Sequence, residues 1–259
     1  MNSPLNYLGG KSKLAKKIVT RIPPDHICYC EPCCGAAWVF FTKDPSKAEV
    51  INDRDNELVT FWRVIQNHLQ AFLEYFRFAI ISRKLFDLEN MKNPETLTDI
   101  QRAVRYYYLQ RLSFGGKTAG RTFGTSATEP GRLNLTNLEE SLLHVHWRLE
   151  RVTIEHLDVC DCIQRYDRPD TFFYVDPPYY RLSQGYASKF VDADFERLRD
   201  SLAKIKGRFL LSLNDDPTIR QLFRAFTLQR VSLTYSAGNS RTGGDTRAKI
   251  RNELIIRNY

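Results

Sequence analysis

The run Thr171-Phe172-Phe173-Tyr174-Val175 leaves the chain little conformational choice. It is short, β-branched and aromatic, and prolines bound it, so it is predicted to be a buried strand. Asp176 then sits at the strand's carboxyl end. Pro177 and Pro178 fix the backbone and remove two N–H donors while keeping two C=O acceptors. In an open α/β sheet, ligands bind just outside the carboxyl ends of strands. Rigid acceptors beside the flat faces of Tyr179 and Tyr180 suit a planar group that donates hydrogen bonds. The plainer alternative is a Pro-rich turn with Asp176 as a turn residue.

Two upstream segments extend that pattern. Residues 27–31 read as a strand entering Glu31-Pro32-Cys33-Cys34-Gly35-Ala36-Ala37, an acidic turn and a loop of small residues ahead of a helix start. Small residues let backbone approach a ligand closely, and an acid there could meet a cationic amino group. A βα turn tight only for packing is the alternative. Residues 48–51 read as a second strand ending at Asn52-Asp53, followed by a helix over 56–68. An acid there, about 20 residues after the first loop, is placed for ribose hydroxyls. Strand, loop, helix, strand, acid and helix make a nucleoside-binding half of a Rossmann-like sheet. Ahead of them, Gly9-Gly10-Lys11-Ser12 precedes a helix over about 13–20. It resembles part of a triphosphate-binding loop, but position 5 is Leu and no strong strand comes before, so that reading is set aside.

A net charge of +8 is compatible with a polyanionic partner. The six cysteines fall in two clusters, Cys28 to Cys34 and Cys160 with Cys162. Their C-x-C spacing is not that of a zinc knuckle, and no His lies close by, so they are read as small apolar side chains at strand ends rather than metal ligands. No apolar run is long enough to span a bilayer, and residues 1–5 lack an apolar signal core, so a cytoplasmic protein is expected.

The middle, 69–149, reads as mostly helical, with an amphipathic helix over 100–112 carrying Arg102, Arg105 and Arg111, the last of them a candidate nucleic-acid contact. Glycines, cations and aromatics then interleave over 113–124, including Phe114, Lys117 and Arg121. Cations neutralise phosphates, aromatics stack or wedge, and glycine admits close approach. A solvated basic loop is the alternative. After a helix over 137–149, a strand starts near 152–154, and residues 157–163 are expected to be a loop at the ligand side. Residues 181–186 are read as a mobile loop over the site. A helix over 194–205, a strand over 209–213, a short helix over 219–226 and a hairpin of 228–235 with 253–256 complete the chain. The hairpin's connection holds Arg241 and Arg247 among glycines, a second candidate nucleic-acid contact.

Four motifs in order carry a resemblance. Asn6-Tyr7-Leu8-Gly9-Gly10-Lys11, Glu31-Pro32-Cys33-Cys34-Gly35, Asn52-Asp53 and Asp176-Pro177-Pro178-Tyr179 are similar to the N-terminal, E-P-F-x-G, N-D and catalytic motifs of the Dam-type, alpha-group DNA N6-adenine methyltransferases. The resemblance covers nearly the whole chain. It implies a Rossmann-like class I methyltransferase sheet formed by 1–68 and 150–259, with 69–149 inserted as a mostly helical target-recognition domain. It implies S-adenosylmethionine as cofactor, held by Tyr7, Lys11, Glu31, Pro32, Gly35, Asp53, Asp161, Cys162 and Asp176, with the adenine ring at Asp161 and Cys162. Asp161 as a simple helix cap is the alternative. It implies catalysis at Asp176, Pro177, Pro178 and Tyr179, double-stranded DNA as partner, and a bacterial or phage setting compatible with a cognate restriction enzyme. The chain departs from the family at Cys33, where Phe is usual, at Gly115, where Asn is usual, and at Ala37, where a second Gly is expected. Ala at that position is expected to need a negative φ.

The chemistry follows from the motif. An adenine amino nitrogen is a poor nucleophile, because its lone pair is delocalised into the ring. Hydrogen bonds to the Asp176 carboxylate and the Pro177 carbonyl favour a pyramidal nitrogen, and the prolines hold both acceptors in place. Tyr179 is placed to stack on a base taken out of the duplex. Cytosine N4, RNA or a protein glutamine are other acceptors for such a site. A DNA-binding module with a decayed cofactor site is a reading from a different class, supported only by Ala37 and Cys33.

Overall fold

The computed structural model describes residues 1–7, 10–126, 128, 131–181, 190–235 and 249–259. Seven strands form one sheet: β1 (Cys28–Glu31), β2 (Ala48–Asn52), β3 (Thr153–Glu155), β4 (Thr171–Val175), β5 (Arg208–Asn214), β6 (Thr227–Tyr235) and β7 (Lys249–Arg257), in the order β3-β2-β1-β4-β5-β7-β6. β3 through β5 pair in parallel, and β7 runs antiparallel to both neighbours. The chain builds outward from β1 to β3, then returns to lay β4 against the other side of β1. The loops after β1 and β4 therefore diverge, and a crevice opens between them at the carboxyl ends.

Alternation along each strand feeds two cores. On β4, Phe172 and Tyr174 enter one core, while Phe173 and Val175 enter the other. The second core is closed by α8 (Val159–Tyr166), α9 (Asp192–Leu202) and α10 (Pro217–Leu222). The first is closed by α1 (Ala15–Val19), α2 (Trp38–Thr42) and α3 (Asn56–Asn67), and by α4 (Leu69–Glu74), α5 (Arg83–Met91), α6 (Asp99–Leu112) and α7 (Leu138–Leu149). Residues 69–149 thus share a core with the sheet. Phe61 of α3 stacks on Tyr107 of α6 at 5.6 Å, and Phe72 of α4 and Phe76 just after it meet the same Tyr107 edge-on. An ion pair of Arg102 with Glu57 ties α6 to α3 from outside, and Thr98 with Gln101 closes a capping box ahead of α6.

Two sequence expectations are corrected. Residues 157–163 are not a loop. Asp158 caps α8 by accepting from Cys160 N at 2.9 Å, and the helix begins at Val159. Val159, Cys162 and Ile163 pack inward at helical spacing, which accounts for the difference. Ala37 does not have negative φ: it sits at φ 52, left-handed, as the residue ahead of α2, and is fully enclosed. A Cβ is strained there, and glycine would relieve it. Ala37→Gly is expected to raise the unfolding free energy by about 0.5–1 kcal/mol, read as a higher denaturant midpoint at unchanged slope. An unchanged or lower midpoint contradicts the left-handed assignment. Most of the loop expected over 181–186, and Arg241 and Arg247, lie outside the described residues.

Candidate active site

Asn52 organises the crevice. Its side-chain amide donates to Pro32 O at 2.7 Å and Leu157 O at 3.1 Å, and its oxygen accepts from Leu157 N at 2.8 Å. One buried side chain therefore braces the loops after β1, β2 and β3. Next to it, Asp53 accepts from Gly35 N at 2.9 Å and Asp55 N at 3.0 Å. Gly35 has φ 47, and a Cβ on it would lie 3.2 Å from the Tyr7 ring. Both the turn and the aromatic lid over it require glycine.

Two cavities open in the crevice and share Tyr7, Cys33, Gly35 and Asp176 as walls. The smaller, about 430 Å³, is completed by Lys11, Glu31, Trp38 and Tyr179 among others. The larger, about 670 Å³, is completed by Pro32, Asp53, Asp55, Asp158, Val159, Pro178 and Phe190 among others. Of the residues singled out in the sequence, Tyr7, Lys11, Glu31, Pro32, Gly35, Asp53, Asp176, Pro177, Pro178 and Tyr179 are brought together here. Asp161 and Cys162 are not. Asp161 is exposed on α8, and Cys162 is buried with its sulfur 3.8 Å from that of Cys30. From this segment it is Asp158 that lines the larger cavity, and it also pairs with Arg197 at 2.7 Å.

Asp176 is held from one side. Its Oδ1 takes an ion pair from Lys11 Nζ at 2.7 Å and a hydrogen bond from Ser212 Oγ at 2.9 Å. Tyr174 OH lies 2.9 Å from Ser212 Oγ, which leaves the tyrosine as donor to the serine. Oδ2 has no protein partner among the described residues. Lys11 Nζ also donates to Tyr179 OH at 2.8 Å and lies 4.4 Å from that ring's centre, while Tyr179 OH donates to Glu253. Burial opposes the charge of Lys11, but the Asp176 carboxylate outweighs it and holds the ammonium above its ordinary pKa. Burial holds Asp176 above the usual carboxylate range, and Lys11 and Ser212 counter only part of that rise. Glu31, buried and receiving Tyr29 OH, is pushed up to about 8 by loss of solvent. Burial likewise raises Asp53 to about 6, against the pull of its backbone donors.

The glycine-rich segment lies beside Tyr7. Phe114 N donates to Thr122 O and Gly124 N to Leu112 O, closing a short loop. Gly116 backs onto Asn6 and Tyr7, where a Cβ would meet backbone at 3.0 Å. Gln110, fully buried, donates to Asn6 O at 2.6 Å and Gly116 O at 2.8 Å. Phe114 is more than half exposed, and Lys117 is half-buried. Arg111 and Arg121 have internal contacts. Arg111 donates to Pro4 O and Arg132 O, and the Arg121 guanidinium lies 5.5 Å from the Tyr106 ring centre.

The family model for D12 class N6 adenine-specific DNA methyltransferases matches residues 7–237. The chain belongs to this family. Similar curated proteins include a type II methyltransferase of Paramecium bursaria Chlorella virus NC1A, 26% identical over 266 residues and covering 100% of both chains. A type II methyltransferase of Lactococcus lactis subsp. cremoris is 26% identical over 272 residues, covering 98% of this chain and 94% of its own. A DNA adenine methylase of Haemophilus influenzae is 20% identical over 268 residues, covering 97% and 92%. The reading as an adenine-specific DNA methyltransferase is thereby borne out, and DNA is its substrate. No helix among the described residues is long and apolar enough to cross a membrane. In this D12 methyltransferase, sequence reasoning missed Ser212, Gln110, Asp158 and Glu253. Gln110 and Glu253 had a signal, since each is a polar residue at one end of an apolar run, Tyr106 to Leu109 and Leu254 to Ile256. Asp158 had one as well, an acid one residue ahead of a helical apolar pattern.

Proposed function

We propose that the methyl donor is S-adenosylmethionine and that the acceptor is an adenine turned out of duplex DNA. The observation that carries this reading is the place of Asp176, on the wall common to both cavities with one carboxylate oxygen unengaged among the described residues. Donor and acceptor can therefore meet at one side chain. The donor sets fit the cofactor. In the larger cavity Asp53 accepts the ribose hydroxyls, and Asp158 with Val159 takes the adenine edge, the role that the family resemblance implies for Asp161 and Cys162. In the smaller cavity the buried Glu31 carboxyl faces the cationic amino group of the methionine end, beside Tyr7 and Lys11.

The bound cofactor supplies an electrophilic methyl on a sulfonium. The chain's own residues prepare the nucleophile. Asp176 Oδ2 and the Pro177 carbonyl accept the two amino hydrogens of the target, which draws its lone pair out of the ring. Lys11 and Ser212 fix the carboxylate by its other oxygen, so little reorganisation is needed. Tyr179 stacks on the base, with its hydroxyl held by Lys11 and Glu253. Phe114 and Lys117 meet the duplex, with 69–149 as the target-recognition segment and Arg241 and Arg247 as further cations.

The cofactor assignment is tested by binding. Asp53 accepts two hydroxyls only as a carboxylate, and its pKa of about 6 lies between the two test pH values. In a Glu31→Gln background, which removes the other carboxyl that titrates against the cofactor, affinity for S-adenosylmethionine is therefore expected to strengthen about tenfold from pH 5 to pH 7, the ratio of ionised Asp53 fractions. Adding Asp53→Asn to that background is expected to weaken binding and remove that step. Titration calorimetry at both pH values checks it, and an unchanged pH step in the variant contradicts the ribose assignment.

A further inference from the structure

Between α4 and α5 the chain makes a turn that carries Phe78, 86% exposed, and Ile80, 62% exposed. The turn is pinned from within. Tyr108 OH donates to Ile80 O at 2.9 Å and accepts from Ser82 N at 3.3 Å, and Ala79 N donates to Phe76 O. Its two apolar side chains are thus held in solvent by a fixed backbone. Residues 77–84 include Arg77, Arg83 and Lys84, all exposed, and no acid. Among the described residues, the acid that pairs with Arg77 is Glu74, at 3.8 Å with both side chains largely exposed.

The turn continues the surface beside the active site. The Arg83 guanidinium lies 4.9 Å from the centre of the Phe123 ring, at the base of the glycine-rich loop. A Cβ at Gly131 would stand 2.6 Å from Ile81, so that backbone lies flush against the turn. Arg132, the next residue, reaches over Phe114 at 5.8 Å, and Gly116 backs onto Tyr7 at the cavities.

We propose that this turn is a second DNA contact, an apolar wedge flanked by phosphate-binding cations. Fixed apolar side chains that partly unstack a base step, ringed by cations, are how proteins grip a deformed duplex. Phe78 and Ile80 press against the bases next to the target, while Arg77, Arg83 and Lys84 meet the phosphates. The inference rests on duplex DNA as substrate and is independent of how the cofactor is held.

The test uses the full chain with Phe78→Ser/Ile80→Ser as one variant and Arg77→Gln/Lys84→Gln as another. These side chains are exposed, so thermal melting and S-adenosylmethionine binding are expected to match wild type. For the first variant the Kd for a duplex carrying the target is expected to rise at least about tenfold. For the second, the salt slope of log K is expected to fall by about 1.8, the value for two phosphates no longer neutralised. Site-by-site 2-aminopurine fluorescence is expected to show an unstacked step with wild type that disappears with the serine variant. Unchanged affinity and slope overturn the proposal. So does a wild-type dimer that the serine variant dissolves with DNA affinity intact, since the turn then belongs to a contact between copies. A wild type that binds no duplex overturns it together with the DNA reading, whereas a variant-only loss separates the two.

Discussion

Asp176→Ala is expected to lower the rate of methyl transfer about 10²- to 10³-fold, the size of effect seen when a preorganised polar group facing a developing charge is removed. The argument is geometric. The carboxylate is fixed through Oδ1 by Lys11 at 2.7 Å and Ser212 at 2.9 Å, so Oδ2 is presented without a search of rotamers. The substitution has a second, separable consequence. Lys11 is 4% exposed, and without its carboxylate it is a buried charge that has lost its principal counter-ion. Breaking such a pair from one side costs about 3 kcal/mol. Lys11→Met/Asp176→Ala is therefore expected to recover much of the lost stability and none of the lost activity. Denaturant melts beside single-turnover methylation check both halves. Activity that returns with stability would assign Asp176 a structural role only.

Glu31→Gln is expected to have opposite effects on the cofactor-free protein and on cofactor binding. The folded carboxyl titrates at about 8, against an ordinary value of 4.5, because burial penalises its charge. A raised acid pKa means that the folded state holds the proton more tightly than the unfolded state. Stability from this group is thus full below about 4.5 and is lost as pH rises toward 8. At pH 7 the difference from 4.5 corresponds to about 3 kcal/mol as an upper bound. A neutral glutamine avoids that loss, so the variant is expected to be more stable than wild type at pH 7–8 and to lose the advantage near pH 4.5. A cationic amino group beside Glu31 would instead favour the carboxylate. S-adenosylmethionine affinity at pH 8 is therefore expected to fall about tenfold or more in the variant, the scale of one charged hydrogen bond. Melting temperature against pH, with calorimetric binding at pH 8, checks it. A variant that binds normally contradicts the assignment of Glu31 to the ammonium.

The strands at the centre of the sheet were legible because their residues have no other use. Phe172 to Val175 and Phe209 to Leu213 are apolar on both faces, and the structure buries both. The acids at the ends of β1, β2 and β4 were legible for the same reason, since each follows a run that must stop at the sheet's edge. Asp158 and Asp161 lie three residues apart, and only the buried set Val159, Cys162 and Ile163 reveals that a helix separates their directions. Ser212 was not legible at all. It is one small polar residue in an apolar strand, and its value comes from the neighbouring strand that brings Asp176 beside it. Arg111 and Arg121 looked like cations facing outward, yet carbonyls and an aromatic ring engage them. Long side chains choose such partners in three dimensions, and no spacing rule records the choice.

The measurement that bears most directly on Asp176 as the group that activates the amino nitrogen is methyl transfer from labelled S-adenosylmethionine to unmethylated duplex DNA. The products are digested to nucleosides and identified by mass, with wild type beside Asp176→Ala and the Lys11→Met/Asp176→Ala pair. N6-methyladenine from wild type, absent from both variants while both still bind duplex, is the expected result. N6-methyladenine formed at comparable rates by the stabilised double variant would contradict it.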